Sequence, residues 1–413
     1  MIPRRAIIGA ALAAPFVARA QGAARGWVVG GGFGGASCAR ALRARRPELD
    51  VTLVEANPDY VACPFSNEVV AGMRDLEAQH FTYDRVAADL RVVRGVASGV
   101  DAGARRVLLQ DGSSLPYDRL VLAPGIDLRF DALPGYTEAA VERMPHAWKA
   151  GPQTLLLRDQ LRAMPDGGTV VIAVPANPYR CPPGPYERAS LIAYYLKTQK
   201  PRSKLIVLDA KDVFSKQKLF QNAWAKLYPN LQWVSLSDGG KVIAVDPAAM
   251  TVQTDFESYK AAVANVIPPQ RAGQVARAAD VADRSGWCPV DPVTFESKLV
   301  PGIHVIGDAA IMGAMPKSAF AANAQAKVCA QSVLALLDGA PPGEPRLINT
   351  CYSLVAPDYG ISVAGVYKPA NGQLADIEGA GGSSPLEAPP EFRAQEAQYA
   401  DAWYQTITRQ VFG

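Results

Sequence analysis

A glycine-rich segment near the start of the chain sets the strongest limit on its fold. The run Gly30-Gly-Gly-Phe-Gly-Gly35 follows a short β run that begins at Trp27, and it precedes an Ala-rich helical segment. Gly30 permits a tight turn, Gly32 lets the backbone approach a pyrophosphate, and Gly35 lets helix and strand pack closely. A second β run ends at Glu55, whose carboxylate can accept hydrogen bonds from ribose hydroxyls. An ordinary loop would explain the glycines alone, but the whole pattern predicts a dinucleotide-binding α/β unit.

Two later segments favour FAD as the dinucleotide. One is a buried β run that ends in the small-residue turn Ala123-Pro-Gly125. The other is a β run that ends on Gly307-Asp308. This second element resembles the Gly-Asp element of flavoproteins with two dinucleotide-binding domains, in which the Asp binds the ribityl chain. The resemblance predicts that Asp308 contacts the flavin cofactor.

A helix should follow the segment Met315-Pro-Lys317-Ser318 and run from Ala319 to Ala330. Its N-terminus would point at the pyrimidine edge of the flavin, where the partial positive charge stabilises the anionic reduced form. Lys317 either places a second positive charge near the reduced flavin or is a solvated residue of the first turn. Both readings stay open at the level of the sequence.

A second α/β unit begins with the β run from Gly167 to Pro175. Related reductases bind NAD(P)H in this unit, through a glycine-rich turn. Here the turn is replaced by Pro-Ala-Asn-Pro-Tyr-Arg-Cys-Pro-Pro-Gly-Pro, which contains Cys181. Prolines lack the N–H donors that would hold a pyrophosphate. The sequence therefore predicts a Rossmann-like unit that is kept for packing and has no NAD(P)H site.

The first twenty residues are typical of a twin-arginine export leader. Arg4-Arg5 precedes an apolar stretch over 6–17, and a small-residue cleavage pattern ends at Ala20. The apolar stretch is shorter than the ~20 residues that span a bilayer. We therefore expect the mature chain to begin near Gln21, in the periplasm, with no transmembrane segment.

Charge and histidine content exclude two classes of function. The formal net charge of +3 falls to zero without the three arginines of the leader, so a basic surface for nucleic acid is not indicated. The three histidines, His80, His146 and His304, show no metal-ligand spacing, and the chain contains no Cys-x-x-Cys-His motif for haem attachment. We expect no metal bound by this chain, and any haem must belong to a partner.

These elements predict an α/β fold of the two-dinucleotide-binding-domain type. After a leader at 1–20, a glutathione-reductase-like FAD domain is split between 25–144 and 277–337. The second Rossmann-like domain occupies 145–276 between its halves. A C-terminal α+β domain at 338–413 completes the chain.

Three of the six cysteines lie in distinctive segments. Cys63 follows the first nucleotide-binding unit, Cys181 lies in the proline-rich loop, and Cys351 lies in Asn-Thr-Cys-Tyr-Ser. A disulfide is compatible with an exported chain, but six cysteines allow about fifteen full pairings. The residues alone leave the pairing open.

Over essentially the whole mature chain, the sequence resembles the flavoprotein subunit of flavocytochrome c sulfide dehydrogenase. The matching segments are Ser66-Asn-Glu-Val69, Ala123-Pro-Gly-Ile-Asp127, Pro145-His-Ala-Trp-Lys149, Arg180-Cys-Pro-Pro-Gly-Pro-Tyr-Glu-Arg188, Ile267-Pro-Pro-Gln-Arg-Ala-Gly273, Gly286-Trp-Cys-Pro-Val-Asp291, Ile306-Gly-Asp308, Met315-Pro-Lys-Ser318 and Asn349-Thr-Cys-Tyr-Ser353.

The resemblance implies a periplasmic enzyme that oxidises sulfide to sulfur or polysulfide and passes electrons to a c-type cytochrome subunit in a heterodimer. It implies that Cys63 forms a thioether to FAD and that Cys181 and Cys351 form a redox-active disulfide beside the flavin ring. One departure is the sequence Pro64-Phe65 after Cys63, where a tyrosine or a similar residue is expected. The resemblance assigns no role to the remaining cysteines, which are Cys38, Cys288 and Cys329.

The implied chemistry begins with hydrosulfide. This soft nucleophile attacks a disulfide to give a persulfide and a thiolate, which can pass two electrons to a flavin. We expect Cys351 to lie nearer the flavin and Cys181 to carry the persulfide. The alternative is an inert disulfide that joins two domains.

Glu187 is the candidate proton acceptor. It precedes a helix predicted over 188–197, and burial would raise its pKa towards neutrality. The alternative is a first-turn glutamate that only complements the helix dipole.

Other functions compete with sulfide dehydrogenase. A sulfide:quinone oxidoreductase would need a membrane-facing C-terminal surface, which the charged tail residues Glu391, Arg393, Glu396 and Asp401 disfavour. A flavin-bearing accessory subunit of another sulfur-oxidising system would not turn over by itself. A pyridine-nucleotide reductase is disfavoured by the proline-rich second loop.

Overall fold

The computed structural model describes residues 25–413, so the predicted export leader lies outside the described residues. Nine α-helices occur in this part of the chain: α1 (Phe33–Arg45), α2 (Ser66–Val70), α3 (Asp84–Asp89), α4 (Pro152–Ala163), α5 (Gly184–Gln199), α6 (Gln217–Leu227), α7 (Gln274–Ala278), α8 (Ala319–Leu337) and α9 (Pro390–Phe412).

The first sheet is parallel and has five strands. In spatial order they are Ile303–Val305, Arg119–Leu122, Arg25–Val29, Asp50–Glu55 and Arg91–Arg94. The central strands are almost entirely apolar, as expected for a parallel sheet covered on both faces. The strand from the late part of the chain completes the sheet beside the early strands. The first unit is therefore assembled from segments on both sides of the second sheet's segment.

The second sheet is also parallel. Its strands, in spatial order, are Leu231–Val234, Lys204–Asp209, Thr169–Val174 and Val263–Val266. The segment 133–144 packs on this second unit, because Tyr136 and Met144 share its buried cluster with Val171. By packing, the second unit thus begins ahead of residue 145, where the sequence placed the boundary.

The C-terminal sheet is antiparallel, with strands Leu347–Ala356, Tyr359–Ala370 and Gln373–Asp376, and with Gly382–Ser383 paired to the second of these. Helix α9 packs on this sheet and also reaches the first unit, where Phe412 stacks on Phe81 with ring centroids 5.1 Å apart. The described helices are all too short or too polar to cross a membrane.

The remaining strands form small sheets of two or three strands each. They are Asp59–Val61 with His80–Thr82, Ala97–Asp101 with Arg106–Leu109 and Ser114–Pro116, Ile126–Leu128 with Gln270–Ala272, Val242–Asp246 with Thr251–Thr254 and Ser258–Lys260, and Cys288–Pro289 with Ala310–Ile311.

Candidate active site

A cavity of about 730 Å³ opens where the carboxyl ends of the first sheet meet the second unit and the C-terminal sheet. This is the edge at which parallel α/β sheets bind ligands, and the volume is ordinary for a cofactor site. Ten of the twelve predicted site residues line it: Gly30, Gly32, Glu55, Cys63, Ala123, Gly125, Cys181, Glu187, Asp308 and Cys351. Gly35 and Lys317 lie behind the wall.

The glycine loop has the shape that a dinucleotide needs. Gly30 has a φ of 102°, which L side chains rarely adopt, and a Cβ on Gly35 would lie 1.7 Å from the carbonyl oxygen of Gly30. The Gly31 N–H donates to Oε2 of Glu55 at 2.6 Å, while Asn57 N–H donates to Oε1 at 2.8 Å. The turn and the acid therefore hold each other, and the N-terminus of α1 faces the cavity.

Asp308 lines the cavity and has an unused hydrogen-bond acceptor. Its Oδ1 atom is buried and has no hydrogen-bond partner among the described residues, and its Oδ2 lies 4.0 Å from a guanidinium nitrogen of Arg180. Burial raises the pKa of this carboxyl group. A buried acceptor without a donor is expensive, and a cofactor hydroxyl would satisfy it. The residues present therefore fit the ribityl chain of FAD.

A short chain of hydrogen bonds links the N-terminus of α8 to Cys351. Ser318 caps this helix, since its Oγ accepts a hydrogen bond from the Ala321 N–H at 3.0 Å. The same hydroxyl donates to Oδ1 of Asn349 at 2.6 Å, and Asn349 Nδ2 donates to the Cys351 Sγ at 3.2 Å. The helix begins at Ala319, as predicted.

Lys317 is partly buried rather than solvated, and it does not line the cavity itself. Its ammonium donates to the carbonyl oxygens of Asp308 at 2.7 Å and Ala310 at 2.8 Å, and it lies 4.0 Å from the centre of the Trp287 ring. Burial lowers its pKa to about 8. Lys317 therefore braces the Asp308 turn from behind the cavity wall.

Cys181 and Cys351 face the same cavity from different units, and all six cysteines are free thiols in this structure. Cys181 has a φ of 58°, and its N–H donates to the Lys317 carbonyl at 2.9 Å. A non-glycine residue with positive φ is strained, and such strain concentrates at functional positions. Burial raises the pKa of the Cys181 thiol, and Glu187 and Cys351 raise it further.

Glu187 lies in the first turn of α5, which begins at Gly184 rather than at the predicted residue 188. Its Oε1 accepts from the Leu354 N–H at 2.8 Å, and its Oε2 accepts from Asn67 Nδ2 at 2.7 Å. Burial raises the pKa of this carboxyl group. This carboxyl group therefore binds its proton up to a higher pH than an exposed glutamate does, which suits it to exchange a proton with a thiol or a substrate.

Arg188 is a site residue that sequence reasoning missed. It is 2% exposed, and its guanidinium donates to Oδ1 of Asn67 at 2.9 Å, Oδ1 of Asn265 at 3.0 Å, and the carbonyls of His146 at 3.1 Å and Ala147 at 2.5 Å. All these acceptors are neutral. Burial lowers its pKa to about 10, so at neutral pH the cavity wall carries a positive charge.

Lys216 was also missed. It precedes α6, and its ammonium donates to the Cys351 carbonyl at 2.9 Å and to Ser353 Oγ at 2.7 Å. No motif in the sequence marks it, since its importance depends on the packing of the second unit against the C-terminal sheet.

Cys63 is half-buried in the cavity wall, with its Sγ 3.8 Å from the Trp148 carbonyl oxygen. The unexpected Phe65 packs against Tyr404 of α9, with ring centroids 4.9 Å apart, and lies under the guanidinium of Arg74. The C-terminal helix α9 thus packs against Phe65, which lies where the sequence departs from the expected pattern.

In the second unit, neighbouring side chains surround the acid that ends the second strand. Asp209 ends its strand as Glu55 ends the equivalent strand of the first unit, but Asp209 is fully buried. Its oxygens accept from Tyr186 Oη at 2.6 Å, Trp233 Nε1 at 3.0 Å and Lys211 Nζ at 2.5 Å. No ribose hydroxyl can reach this carboxylate.

Contrary to what the sequence had suggested, the four charged residues of the tail do not all face solvent. Arg393 and Glu396 do not form a charged surface, because both are buried and pair with each other at 3.4 Å. Only Glu391 and Asp401 of the four tail charges retain substantial exposure. Trp403 lines the cavity, Tyr404 packs in the core, and Tyr399 is exposed.

Comparisons with known families identify the chain. The family described as the central part of the sulfide dehydrogenase [flavocytochrome c] flavoprotein chain matches residues 154–268, and the flavin-binding part of flavocytochrome c sulphide dehydrogenase matches 343–412. The flavoprotein chain of Chlorobaculum thiosulfatiphilum is 62% identical over 42 residues, which are 88% of that sequence and 10% of this one. The chain belongs to this flavoprotein family. Residues 25–153 match the pyridine nucleotide-disulphide oxidoreductase family.

Relatives with a different electron acceptor in their names also match. Mitochondrial sulfide:quinone oxidoreductase of Mus musculus is 24% identical over 303 residues, which cover 68% of this chain and 64% of that protein. Sulfide-quinone reductase of Aquifex aeolicus is 30% identical over 182 residues, or 43% of this chain and 40% of that protein. The chain thus matches less than two thirds of the length of either quinone enzyme.

Solved structures confirm the predicted fold class. The sulfide:quinone oxidoreductase of Aquifex aeolicus superposes with a TM-score of 0.72 at 18% identity, and the alignment covers 94% of this chain and 92% of that one. Putidaredoxin reductase, in its covalent complex with putidaredoxin, gives a TM-score of 0.64 at 18% identity, with 91% and 93% covered. Both alignments span almost the whole chain, so the C-terminal unit belongs to the shared fold.

Proposed function

We propose that this flavoprotein oxidises sulfide in the periplasm and transfers the electrons through FAD to a c-type cytochrome subunit. One observation carries the proposal. Cys181 and Cys351 line the cavity that also contains Cys63 and the unpaired Asp308 oxygen. Two thiols 170 positions apart in sequence are thus brought to one flavin-sized cavity, beside a buried carboxyl group.

The proposed reaction uses a Cys181–Cys351 disulfide as the electron acceptor for sulfide. The hydrosulfide sulfur attacks Cys181 Sγ and forms a new S–S bond, while the Cys181–Cys351 bond breaks and its electron pair leaves as the Cys351 thiolate. The Glu187 carboxylate takes the proton that hydrogen sulfide or the persulfide releases. Each hydrosulfide ion thus yields one sulfur atom at oxidation level zero, two electrons and one proton.

Bound FAD would supply the two-electron acceptor for the Cys351 thiolate. On this side of the cavity the chain's own groups hold Cys351 in place: Asn349 donates to its sulfur at 3.2 Å, and Ser318 orients Asn349 at 2.6 Å. Arg188 provides a fixed positive charge in the wall, which favours an anionic thiolate. The position of Cys63 in the same wall supports a covalent bond to the flavin.

The electron acceptor has a second candidate. Two of the similar proteins are quinone enzymes by name, which favours quinone as the alternative acceptor. A cytochrome is preferred because the flavocytochrome c family matches both the central unit and the C-terminal unit of this chain. A non-turnover flavin subunit is the third reading.

The proposal is tested by anaerobic titration of the purified flavoprotein with sulfide, following the absorbance of oxidised flavin. We expect bleaching with about one sulfide per flavin, and loss of bleaching in Cys351→Ala and Cys181→Ala. Cys288→Ala, at a buried cysteine outside the cavity wall, should behave as the wild type. A flavin that stays oxidised at excess sulfide would contradict sulfide oxidation. It would favour a flavin-bearing accessory subunit that does not turn over by itself.

The acceptor is tested by reoxidation of the bleached protein. A soluble c-type cytochrome and a water-soluble short-chain quinone are offered separately at equal concentration. Faster electron transfer to the cytochrome is expected, and faster transfer to the quinone would replace the cytochrome in the proposal.

A further inference from the structure

Lys216 occupies a position in which lysine is rare. It directly precedes α6 with φ 63° and ψ 25°, the left-handed region that normally favours glycine or asparagine. This conformation is strained for a residue with a side chain. Cys181 has the same kind of backbone conformation. Both residues are therefore held in place by their surroundings.

The Lys216 side chain crosses from the second unit to the C-terminal sheet. Its ammonium donates to the carbonyl oxygen of Cys351 at 2.9 Å and to Oγ of Ser353 at 2.7 Å. Both partners belong to the strand Leu347–Ala356 and both are uncharged. The positive charge is thus fixed beside the Cys351 residue without a carboxylate hydrogen-bonded to it.

Four ionisable groups surround this ammonium. Cys351, Glu187 and Cys181 belong to the candidate site, and Glu396 of α9 is held by Arg393 at 3.4 Å. Burial lowers the pKa of Lys216 to about 8, while these four groups favour its protonated form. In return, the ammonium favours the thiolate of Cys181 against the burial that disfavours it. At neutral pH the cysteine pair therefore faces a cation from the second unit.

We propose that Lys216 is a positioning residue of the cysteine pair: it fixes the Cys351 strand and supplies the positive charge that favours anions, both thiolate and incoming hydrosulfide, at Cys181 and Cys351. The inference deepens the proposed function and rests on it for the identity of the incoming anion. The effect on the thiols does not depend on sulfide.

A lysine that only joins two units would explain the hydrogen bonds equally well. The two roles differ in one respect, because a structural brace has no influence on whether a neutral or an anionic reagent reacts with the cysteines. Lys218 offers a matched control: it is an exposed lysine two residues further on, in the first turn of α6.

The test is alkylation of the reduced, flavin-containing protein with neutral iodoacetamide and with anionic iodoacetate between about pH 6 and pH 9.5. Modification of Cys181 and Cys351 is followed by peptide mass spectrometry. In Lys216→Met, we expect alkylation of Cys181 by iodoacetamide at pH 7.5 to slow about tenfold, because loss of the neighbouring positive charge lowers the fraction of reactive thiolate. Alkylation by iodoacetate should slow more. Lys216→Arg should remain within about twofold of the wild type, and Lys218→Met should be unchanged.

Unchanged rates and an unchanged reagent preference in a folded Lys216→Met protein would overturn the proposal. If that variant does not fold, Lys216→Gln takes its place, since its amide can still donate to the Cys351 carbonyl and to Ser353 Oγ but carries no charge. Unchanged rates and an unchanged reagent preference in that variant also overturn the proposal. If sulfide fails to bleach the flavin, only the proposed function is contradicted. The alkylation rates still measure the effect of the Lys216 charge on the thiols, because that experiment contains no sulfide.

Discussion

The Glu187 carboxylate accepts a hydrogen bond of 2.8 Å from the backbone N–H of Leu354. Glu187 follows Cys181 by six residues, and Leu354 follows Cys351 by three. One buried carboxyl group therefore joins the two segments that carry the candidate redox cysteines, which belong to different structural units. A change in the protonation of this group would therefore alter the link between the two segments.

Glu187→Gln should change the pH dependence of sulfide oxidation. Burial raises the pKa of Glu187, so the carboxylate that accepts a proton forms only as the pH rises through that raised value. The rate of flavin reduction by sulfide should rise with pH over this range in the wild type. In Glu187→Gln it should be about 10²-fold lower, without the Glu187-dependent rise.

Stopped-flow measurements at matched total sulfide test this expectation, because the titration of sulfide itself is common to both proteins. Glu68→Gln is the control, as Glu68 is also buried but is paired with Arg74 at 2.6 Å. The same pH dependence in Glu187→Gln and the wild type would exclude Glu187 as the proton acceptor.

Cys63→Ala should release the flavin on denaturation. The thiol of Cys63 lies in the cavity wall with no stronger partner than a carbonyl oxygen at 3.8 Å, so it is free to bond a cofactor. Acid precipitation should leave the flavin with the wild-type protein and in the supernatant of the variant. Flavin that leaves the wild-type protein under acid would show that the attachment is not covalent.

NADH and NADPH should not reduce the flavin. The Asp209 carboxylate that could bind a ribose accepts hydrogen bonds from Tyr186, Trp233 and Lys211, and the Tyr186 ring stacks on Phe214 with centroids 3.6 Å apart. Anaerobic mixing with millimolar NADH should leave the flavin spectrum unchanged over minutes. Bleaching at a rate comparable with that produced by sulfide would place a nucleotide site elsewhere.

The parts of the site that sequence predicts are those fixed by local backbone requirements. The glycine loop needs Gly30 and Gly35 for steric reasons that hold for any such turn, and Glu55 follows because it ends the adjacent strand. The start of α8 follows from the Ser318 cap. These features depend on a few neighbouring residues, so a single sequence contains them.

The remaining parts depend on long-range packing. Lys216 gains its position only when the second unit meets the C-terminal strand, 135 residues later in the chain. Arg188 is isolated from carboxylates only because distant asparagines and carbonyls surround it. Likewise, Arg393 and Glu396 are residue types typical of a solvated helix face. They are buried only because α9 packs on the sheet. Sequence spacing contains none of these distances.

Glu396→Ala should destabilise the C-terminal unit. Glu396 is buried, and its carboxylate accepts from Ser362 Oγ at 2.7 Å, Ser384 Oγ at 2.6 Å and Arg393 at 3.4 Å. Removing it leaves the Arg393 guanidinium buried without its carboxylate, and breaking such a pair costs about 3 kcal/mol. Calorimetry should show a lower unfolding midpoint, whereas Glu391→Ala, at an exposed residue of the same helix, should change it little. Equal midpoints for both variants would mean that the Arg393–Glu396 pair does not stabilise the packing of α9 on its sheet.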